Sequence, residues 1–430
     1  MFSATPSRCL ATLIASTGSR QGKTVLTAAL ARRYSREGRR VQIFKVGPDY
    51  LDPTILQSAS GQTVYNLDLW MMGEDHCRSL LHQGAACNDV ILVESLMGLH
   101  DHEPSNAHLA RLFNLPVTLI INVAKFAQTA AAVVEGMEKY GPDVSIDHLI
   151  GNRVGSDNHD RLMHEALGER YTGSLRRDDR MTLPERHLGL VPGNEHPDLD
   201  HRLDDMVAVL DECRIDPVLR EVSFSVENPT PFPEPLLAGK TIAIARDAAF
   251  SFIYPANIEL LESMGASAVF FSPLANDPVP SCDALWVPGG YPERYLARLT
   301  QADVTRKSMQ AFQEAQKPIL AECGGMMALC NHIDSRTGER GYGFSLLDAE
   351  CAMQSGFQSV GLQCVNYGQG EIRGHSFHHS LIHWKSAPSL FCTRQNGERG
   401  EAAIQCGNTT LTYLHHYFPS NPKAIAALLS

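Results

Sequence analysis

Short, nearly continuous apolar runs alternate with amphipathic stretches along the first half of the chain. The runs at 10–15, 41–44, 89–93, 117–123 and 148–150 have the length and composition of buried strands, and 25–34 has the spacing of a helix. Strands without a polar face, separated by helices, predict a mainly parallel, doubly wound sheet covered on both sides. Residues 197–219 carry apolar positions at helical spacing (Leu203, Met206, Val207, Leu210) and are expected to pack on that first domain. The densest proline cluster follows (Pro229, Pro231, Pro233, Pro235), a composition that favours an extended connector. Alternation then resumes with strands at 242–245, 268–271 and 284–287 and a helix at 254–264. After Cys323 the pattern turns shorter and strand-rich, with turn signals at Thr337-Gly338 and Asn396-Gly397. The expected organisation is an α/β chain with one domain over 1–212, a connector over 213–240 and a second α/β domain over 241–430.

Composition narrows the class. Hydrophobic residues make up 43% and charged residues 20% of the 430 positions, values of an ordinary soluble globular protein. The net charge of -11 disfavours nucleic acid as a partner, and the arginines between Arg32 and Arg40 read as a solvated helix end. Neither a bilayer-length apolar run nor a cleavable leader is visible, so the expected location is cytoplasmic, without membrane association. The eleven cysteines are scattered, odd in number and free of Cys-x-x-Cys pairs, which points to reduced thiols.

Two places in the first half carry chemistry. The strand at 10–15 opens into Ser16-Thr17-Gly18-Ser19-Arg20-Gln21-Gly22-Lys23-Thr24 and then a helix, the parts of a phosphate-binding loop. Gly22 would bring backbone N–H groups to the phosphates, Lys23 would reach the outer phosphates and Thr24 would ligate magnesium. Position 17, where the strict pattern has its first glycine, is threonine. Gly239-Lys240-Thr241 repeats the tripeptide but precedes a strand, so it reads as a turn. Carboxylates also stand at strand ends: Asp49 and Asp52 beside Lys45, then Glu94 and Asp101. Any one of them alone could simply be a solvated loop residue; together they lie where open α/β sheets bind ligands and magnesium finds hard oxygen donors.

In the second half, the run that ends in Glu322-Cys323-Gly324-Gly325 has the form of a nucleophile elbow. Cys323 reads either as a reactive thiol or as a small buried apolar residue. Pro288-Gly289-Gly290 could present amides that, with the amide of Gly324, form an oxyanion hole. Tyr413-Leu414-His415-His416 supplies imidazoles for the thiol proton.

The glycine turn, the Cys-Gly-Gly elbow and the late Tyr-x-His resemble the class I glutamine amidotransferases of the cobyrinate and cobyrate synthase branch. The phosphate loop resembles that of dethiobiotin synthetase. Segments 41–52, 89–101, 182–191, 246–252 and 254–257 resemble the cobyrinic acid a,c-diamide synthase family, so the likeness covers nearly the whole chain. It implies ATP- and glutamine-dependent amidation of the a and c acetate arms of cobyrinic or hydrogenobyrinic acid through an acyl phosphate. It implies Cys323 as nucleophile, His415 as its base with His416 as competitor, and Asn152 or Arg153 at the nucleotide base. The metal and acyl-phosphate site would comprise Thr24, Asp49, Asp52, Glu94 and Asp101, with Mg2+ as cofactor and a corrinoid small molecule as partner; a homodimer is compatible with it. The third member of the thiol site is left unassigned, since Tyr417 stands where many relatives carry an acid. The chain departs from the family at Arg20 and His102, where glycine is usual, and at Ser376, where glutamate is usual. Amidation of another tetrapyrrole, as by cobyric acid synthase or a nickel-sirohydrochlorin diamide synthase, is the nearest alternative. A non-catalytic nucleotide-dependent regulator and an ATP-independent thiol hydrolase are the alternatives from other classes.

Overall fold

The computed structural model describes residues 5–141, 144–186, 189–217, 219–228, 233–384, 388 and 390–430. The chain divides into two units, Met1–Thr230 and Pro231–Ser430.

In the first unit, strands β1 (Ser7–Ser16), β2 (Val41–Val46), β3 (Tyr65–Leu67), β4 (Val90–Glu94), β5 (Val117–Asn122), β6 (Ile146–Val154) and β7 (Tyr171–Arg176) lie in the order β3-β2-β4-β1-β5-β6-β7. Each neighbouring pair along that path is parallel. Successive residues of a strand face opposite sides, so an all-apolar strand feeds two cores. Leu13, Ile91, Val93 and Leu119 join one buried cluster, with Cys77 and Leu81 of the helix Glu74–Cys87. Ile14, Ile43, Leu92 and Ile120 join the other, with Leu26 and Leu30 of the helix Lys23–Arg36. The helix Leu199–Glu212 adds Leu203, Met206 and Leu210 to that second face, as its spacing predicts. Arg32 donates to Asp204 across these helices at 2.9 Å.

Two further pieces complete this unit. Strands β8 (Glu185–Arg186) and β9 (Gly189–Leu190) pair antiparallel; residues 187–188 of the 182–191 segment lie outside the described residues. Strand β10 (Arg220–Phe224) pairs antiparallel with the start of β1, from Ser7↔Phe224 to Ala11↔Arg220. This corrects the connector expected over 213–240: its first part belongs to the sheet, because Val222 and Phe224 are buried on alternate positions. At the other end Leu237 is buried in the core of the second unit. Pro229 and Pro231, at the heart of the proline cluster, lie outside the described residues.

The second unit contains β11 (Thr241–Ala245), β12 (Ser267–Phe271), β13 (Ala284–Val287), β14 (Ile319–Glu322), β15 (His332–Asp334), β16 (Arg340–Tyr342), β17 (Ala349–Met353), β18 (Ser359–Asn366), β19 (Glu371–His378), β20 (Ser380–Trp384), β21 (Leu390–Arg394), β22 (Arg399–Cys406), β23 (Thr409–Thr412) and β24 (His415–His416). Among the described residues, ten of them form one sheet in the order β12-β11-β13-β14-β23-β22-β21-β18-β19-β24. It is parallel from β12 to β23 and antiparallel beyond. A smaller sheet runs β16-β15-β17-β20. Because β23 lies beside β14, the amide of Cys323 donates to Thr412 O at 2.7 Å and the histidine segment begins next to the elbow.

Candidate active sites

In the first unit, the loop between β1 and the helix Lys23–Arg36 is shaped by left-handed residues. Gly22 has φ +99, and a Cβ there would stand 2.6 Å from Asn152 Nδ2. Arg20 has φ +60 and His102 φ +67, so both family glycine positions occupied here by other residues demand the left-handed backbone that glycine adopts without strain. The buried ammonium of Lys23 donates to Met97 O at 2.5 Å, to Ser16 Oγ at 2.8 Å and to Gly18 O at 3.2 Å. Burial lowers it to about 8, against the pull of Glu94, Asp52 and Asp101.

The carboxylates gather around a second lysine. Lys45 Nζ lies 2.5 Å from Glu94 Oε1, 2.7 Å from Asp52 Oδ2 and 3.7 Å from Asp49 Oδ2. Burial works against its charge, but these three acids outweigh burial and hold the ammonium above its ordinary range. Burial likewise works against ionised Asp52, and Lys45 prevails, so that carboxyl is held down. Burial and the neighbouring Asp52 lift Asp49 to about 7. The hydroxyl of Thr24 donates to Glu94 Oε1 at 2.8 Å and lies 3.2 Å from Asp52 Oδ2. Glu94 is fully buried, yet its second oxygen, Oε2, has no hydrogen-bond partner. Among the described residues, no group of three or more His, Cys, Asp or Glu side chains could hold a metal ion by itself.

Thus Gly22, Lys23, Thr24, Asp49, Asp52 and Glu94 come together, while Asp101 reaches Lys23 through its charge and makes no ion pair with either lysine among the described residues. Asp101 is exposed and accepts from the amide of Gly98 at 2.8 Å, closing the turn beyond β4. The amide of Asn152 is committed to Gln21 O at 2.7 Å, so it braces the phosphate loop. Arg153 lines the cavity over the site, whose volume is about 1000 Å³. Arg176 and Arg177 also line it, with an apolar side of Met181, Leu183 and Leu190. Leu183 and Leu190 belong to the segment 182–191 that the family likeness marked, whereas the two arginines were not singled out, because such a pair at a strand end has no distinctive spacing.

In the second unit, Cys323 has φ +46 and ψ -110 and caps the helix Gly324–Leu329. The elbow docks backbone to backbone on the Pro288-Gly289-Gly290 turn. A Cβ on Gly324 would meet Gly290 O at 2.6 Å, one on Gly325 would meet Val287 O at 2.1 Å, and one on Gly290 would meet Ala249 O at 2.1 Å. Only hydrogen fits at these places, which is the physical reason for glycine in both motifs. Cys323 is 4% exposed. Burial pushes its thiol well above the ordinary range, and the charge of Glu293 adds to that.

The same glycine turn touches an imidazole. A Cβ on Gly289 would lie 2.2 Å from His415 Cε1, so the ring of His415 rests on the turn whose next residue supports the elbow. His415 stacks on His375 with centroids 5.0 Å apart and planes 17° apart. Burial, then the neighbouring histidines, depress its pKa well below the ordinary imidazole value. His375 is pushed down to about 3 by burial, and its Nδ1 lies 3.1 Å from the Tyr254 hydroxyl. The adjacent His416 is differently engaged: its Nδ1 lies 2.5 Å from Glu322 Oε1 and its Nε2 3.2 Å from the Tyr367 hydroxyl. Glu322 also accepts from the His416 amide at 3.0 Å and from Trp286 Nε1 at 2.9 Å. Both ring nitrogens of His416 thus have partners. Ser376 is buried and lies 2.9 Å from Ser359 Oγ and 2.5 Å from Gln363 Nε2, a neutral cluster where the family carries an acid. All eleven cysteines are free. Among the described residues, no helix is long and apolar enough to cross a membrane.

Comparison with known proteins finds a match for each of the two units. Residues 12–191 match a family described as the CobQ/CobB/MinD/ParA nucleotide binding domain, and residues 241–423 match the CobB/CobQ-like glutamine amidotransferase domain. The chain is 45% identical over 429 residues to the hydrogenobyrinate a,c-diamide synthase of Pseudomonas aeruginosa, covering 99% of this chain and 98% of that one. It is 44% identical to the hydrogenobyrinate a,c-diamide synthase of Stutzerimonas stutzeri, covering 99% of each. With the cobyrinate a,c-diamide synthase of Herminiimonas arsenicoxydans it shares 44% identity, over 97% of this chain and 96% of that one. The chain belongs to the cobyrinate and hydrogenobyrinate a,c-diamide synthase family, and it is an amide-forming ligase that joins a nucleotide-binding domain to a glutamine amidotransferase domain.

Proposed function

We propose that this chain converts the a and c acetate carboxylates of cobyrinic or hydrogenobyrinic acid to amides, using ATP to activate each acid and glutamine as the nitrogen source. The observation that most supports it is the pairing, in one chain, of a phosphate loop beside buried carboxylates with a cysteine elbow docked on a glycine turn. A carboxylate is a poor electrophile and ammonium is not a nucleophile, so each unit removes one obstacle.

In the second unit the thiol of Cys323 attacks the side-chain amide of glutamine while His415 takes the thiol proton. Burial keeps His415 neutral and therefore able to accept it. The amides of Gly290 and Gly324 receive the developing oxyanion. His415 returns the proton to the leaving ammonia, and water then cleaves the thioester to glutamate.

In the first unit Lys23 and the loop amides hold the ATP phosphates, and a substrate carboxylate attacks the terminal phosphorus, releasing ADP. Ammonia attacks the resulting acyl phosphate, phosphate leaves, and an amide remains. Thr24, Asp52 and Glu94 suit a magnesium ion: they are hard oxygen donors, Glu94 Oε2 is buried without a partner, and magnesium needs only one or two protein carboxylates beside phosphates and waters. Such an ion would supply positive charge to the phosphate oxygens. Asp49 would position the substrate acid, Asp101 would act through the turn at Gly98, and Arg153 would face the nucleotide base.

The test is amide counting. Purified protein with ATP, magnesium and glutamine is expected to add two amides to cobyrinic or hydrogenobyrinic acid; four added amides, or turnover of nickel-sirohydrochlorin in preference, would reject the assignment.

A further inference from the structure

We propose that Glu293 anchors the α-ammonium group of glutamine, an assignment that rests on the reading of Cys323 as a glutaminase nucleophile. Glu293 lies on the 3-10 turn Pro292–Arg294, just beyond the Pro288-Gly289-Gly290 turn. The Pro292 ring would stand 2.8 Å from a Cβ on Gly324, so the turn is seated on the residue after the thiol. Tyr291 meets Phe252 edge-on at 4.9 Å, and Phe252 lies 5.8 Å from the His415 ring. The turn that carries Glu293 is therefore packed on the residue after the thiol and, through Phe252, lies near the imidazole.

Its surroundings leave its negative charge poorly matched. Glu293 is half-buried, and burial lifts its carboxyl to about 7, opposed by its own amide and by the adjacent Arg294. After burial, Glu293 is the largest influence raising the Cys323 thiol. A carboxylate beside a nucleophile that must become an anion is a liability until a cation arrives. Glutamine brings one: its α-ammonium and its side-chain amide are only a few bonds apart, a separation suited to neighbouring walls of one small site. A charge-assisted hydrogen bond from the ammonium would satisfy Glu293 and relieve its opposition to the thiolate. Recognition of free glutamine and readiness of the sulfur are then one event.

Glu293→Gln keeps the shape and removes the charge. It is expected to raise the KM for glutamine about ten- to a hundred-fold, the scale of a lost charged hydrogen bond, with ammonium-driven synthesis checking that the other unit is intact. Two electrophiles separate recognition from thiol chemistry. Labelling of Cys323 by diazo-oxo-norleucine, which carries the α-ammonium, is expected to slow by the same factor, while labelling by iodoacetamide, which lacks it, holds or quickens. Glu293→Asp, which restores the charge, should recover part of the affinity. Equal slowing with both reagents, or an unchanged KM, overturns the assignment. If the wild-type protein releases no ammonia from glutamine and neither reagent reaches Cys323, the glutaminase reading has failed and the anchor fails with it.

Discussion

The two units handle charge in opposite ways. The first packs Lys23, Lys45, Asp49, Asp52 and Glu94 into one neighbourhood, where Lys45 holds the charges of Asp52 and Glu94. The second buries Cys323, His415 and His375 and drives all three toward their neutral forms. The difference follows from the chemistry proposed for each: phosphoryl transfer calls for fixed charges waiting for a charged ligand, whereas amide cleavage calls for a proton that can move between uncharged groups.

Separating the two activities is the strongest test of this contrast. Cys323→Ala is expected to cut glutamine-driven synthesis by about a thousand-fold or more while high ammonium still supports it; Lys23→Ala is expected to lose about as much with either nitrogen source. Assays of ADP and amide formation with glutamine and then with ammonium read both. A Lys23→Ala protein that remained active with ammonium would break the comparison.

Next in size is the effect of emptying the charge cluster. Lys45→Met leaves Asp52 and Glu94 buried without their cation, at an expected cost of about 3–5 kcal/mol. Urea unfolding should show it, and magnesium with ATP should restore part of the loss. An unchanged midpoint would mean that the acids do not carry charge in the folded protein.

Acid should then separate the units in stability. His375 has a folded pKa of about 3 against an ordinary 6.5, and His415 is shifted the same way. A depressed folded value means that the unfolded chain takes up protons first, so stability falls as pH drops from about 6.5 toward 3, by about 1.4 kcal/mol per unit for each such histidine. Glu293, lifted to about 7, offsets part of this in the second unit. In the first unit Asp49, lifted to about 7, and Asp68, lifted to about 6, gain stability over the same range, with His76, lowered to about 4, opposing. Hydrogen exchange at neutral pH and near pH 5, corrected for intrinsic rates, should show β14 losing protection while β1 holds or gains it.

The smallest effect concerns strain. Arg20→Gly relieves a left-handed arginine, and denaturation should show the first unit stabilised by about 0.5 kcal/mol.

What the sequence revealed, and what it hid, follows from distance along the chain. Parallel strands covered on both faces are apolar throughout, so β1, β2, β4 and β5 could be read directly, and strand-loop-helix context distinguished the loop at Lys23 from the tripeptide at Lys240. Strand β10 was absorbed into the connector, although Val222 and Phe224 already alternate with Glu221 and Ser223. Its partner lies more than two hundred residues earlier, and five residues beside a proline cluster carry little signal alone. Shorter separations along the chain also hid the lock of Glu322 on His416 and the stacking of His375 on His415. The two adjacent histidines therefore look alike in the sequence and differ only in their tertiary contacts.

The pairing of β10 with β1 has a practical consequence for dissecting the chain. A fragment ended at Glu212 would lose the ribbon that covers the opening residues of a central strand, baring unpaired backbone from Ser7 to Ala11 and inviting association with other copies. A fragment that retains Phe224 would keep that seam closed, so the scissors belong beyond it.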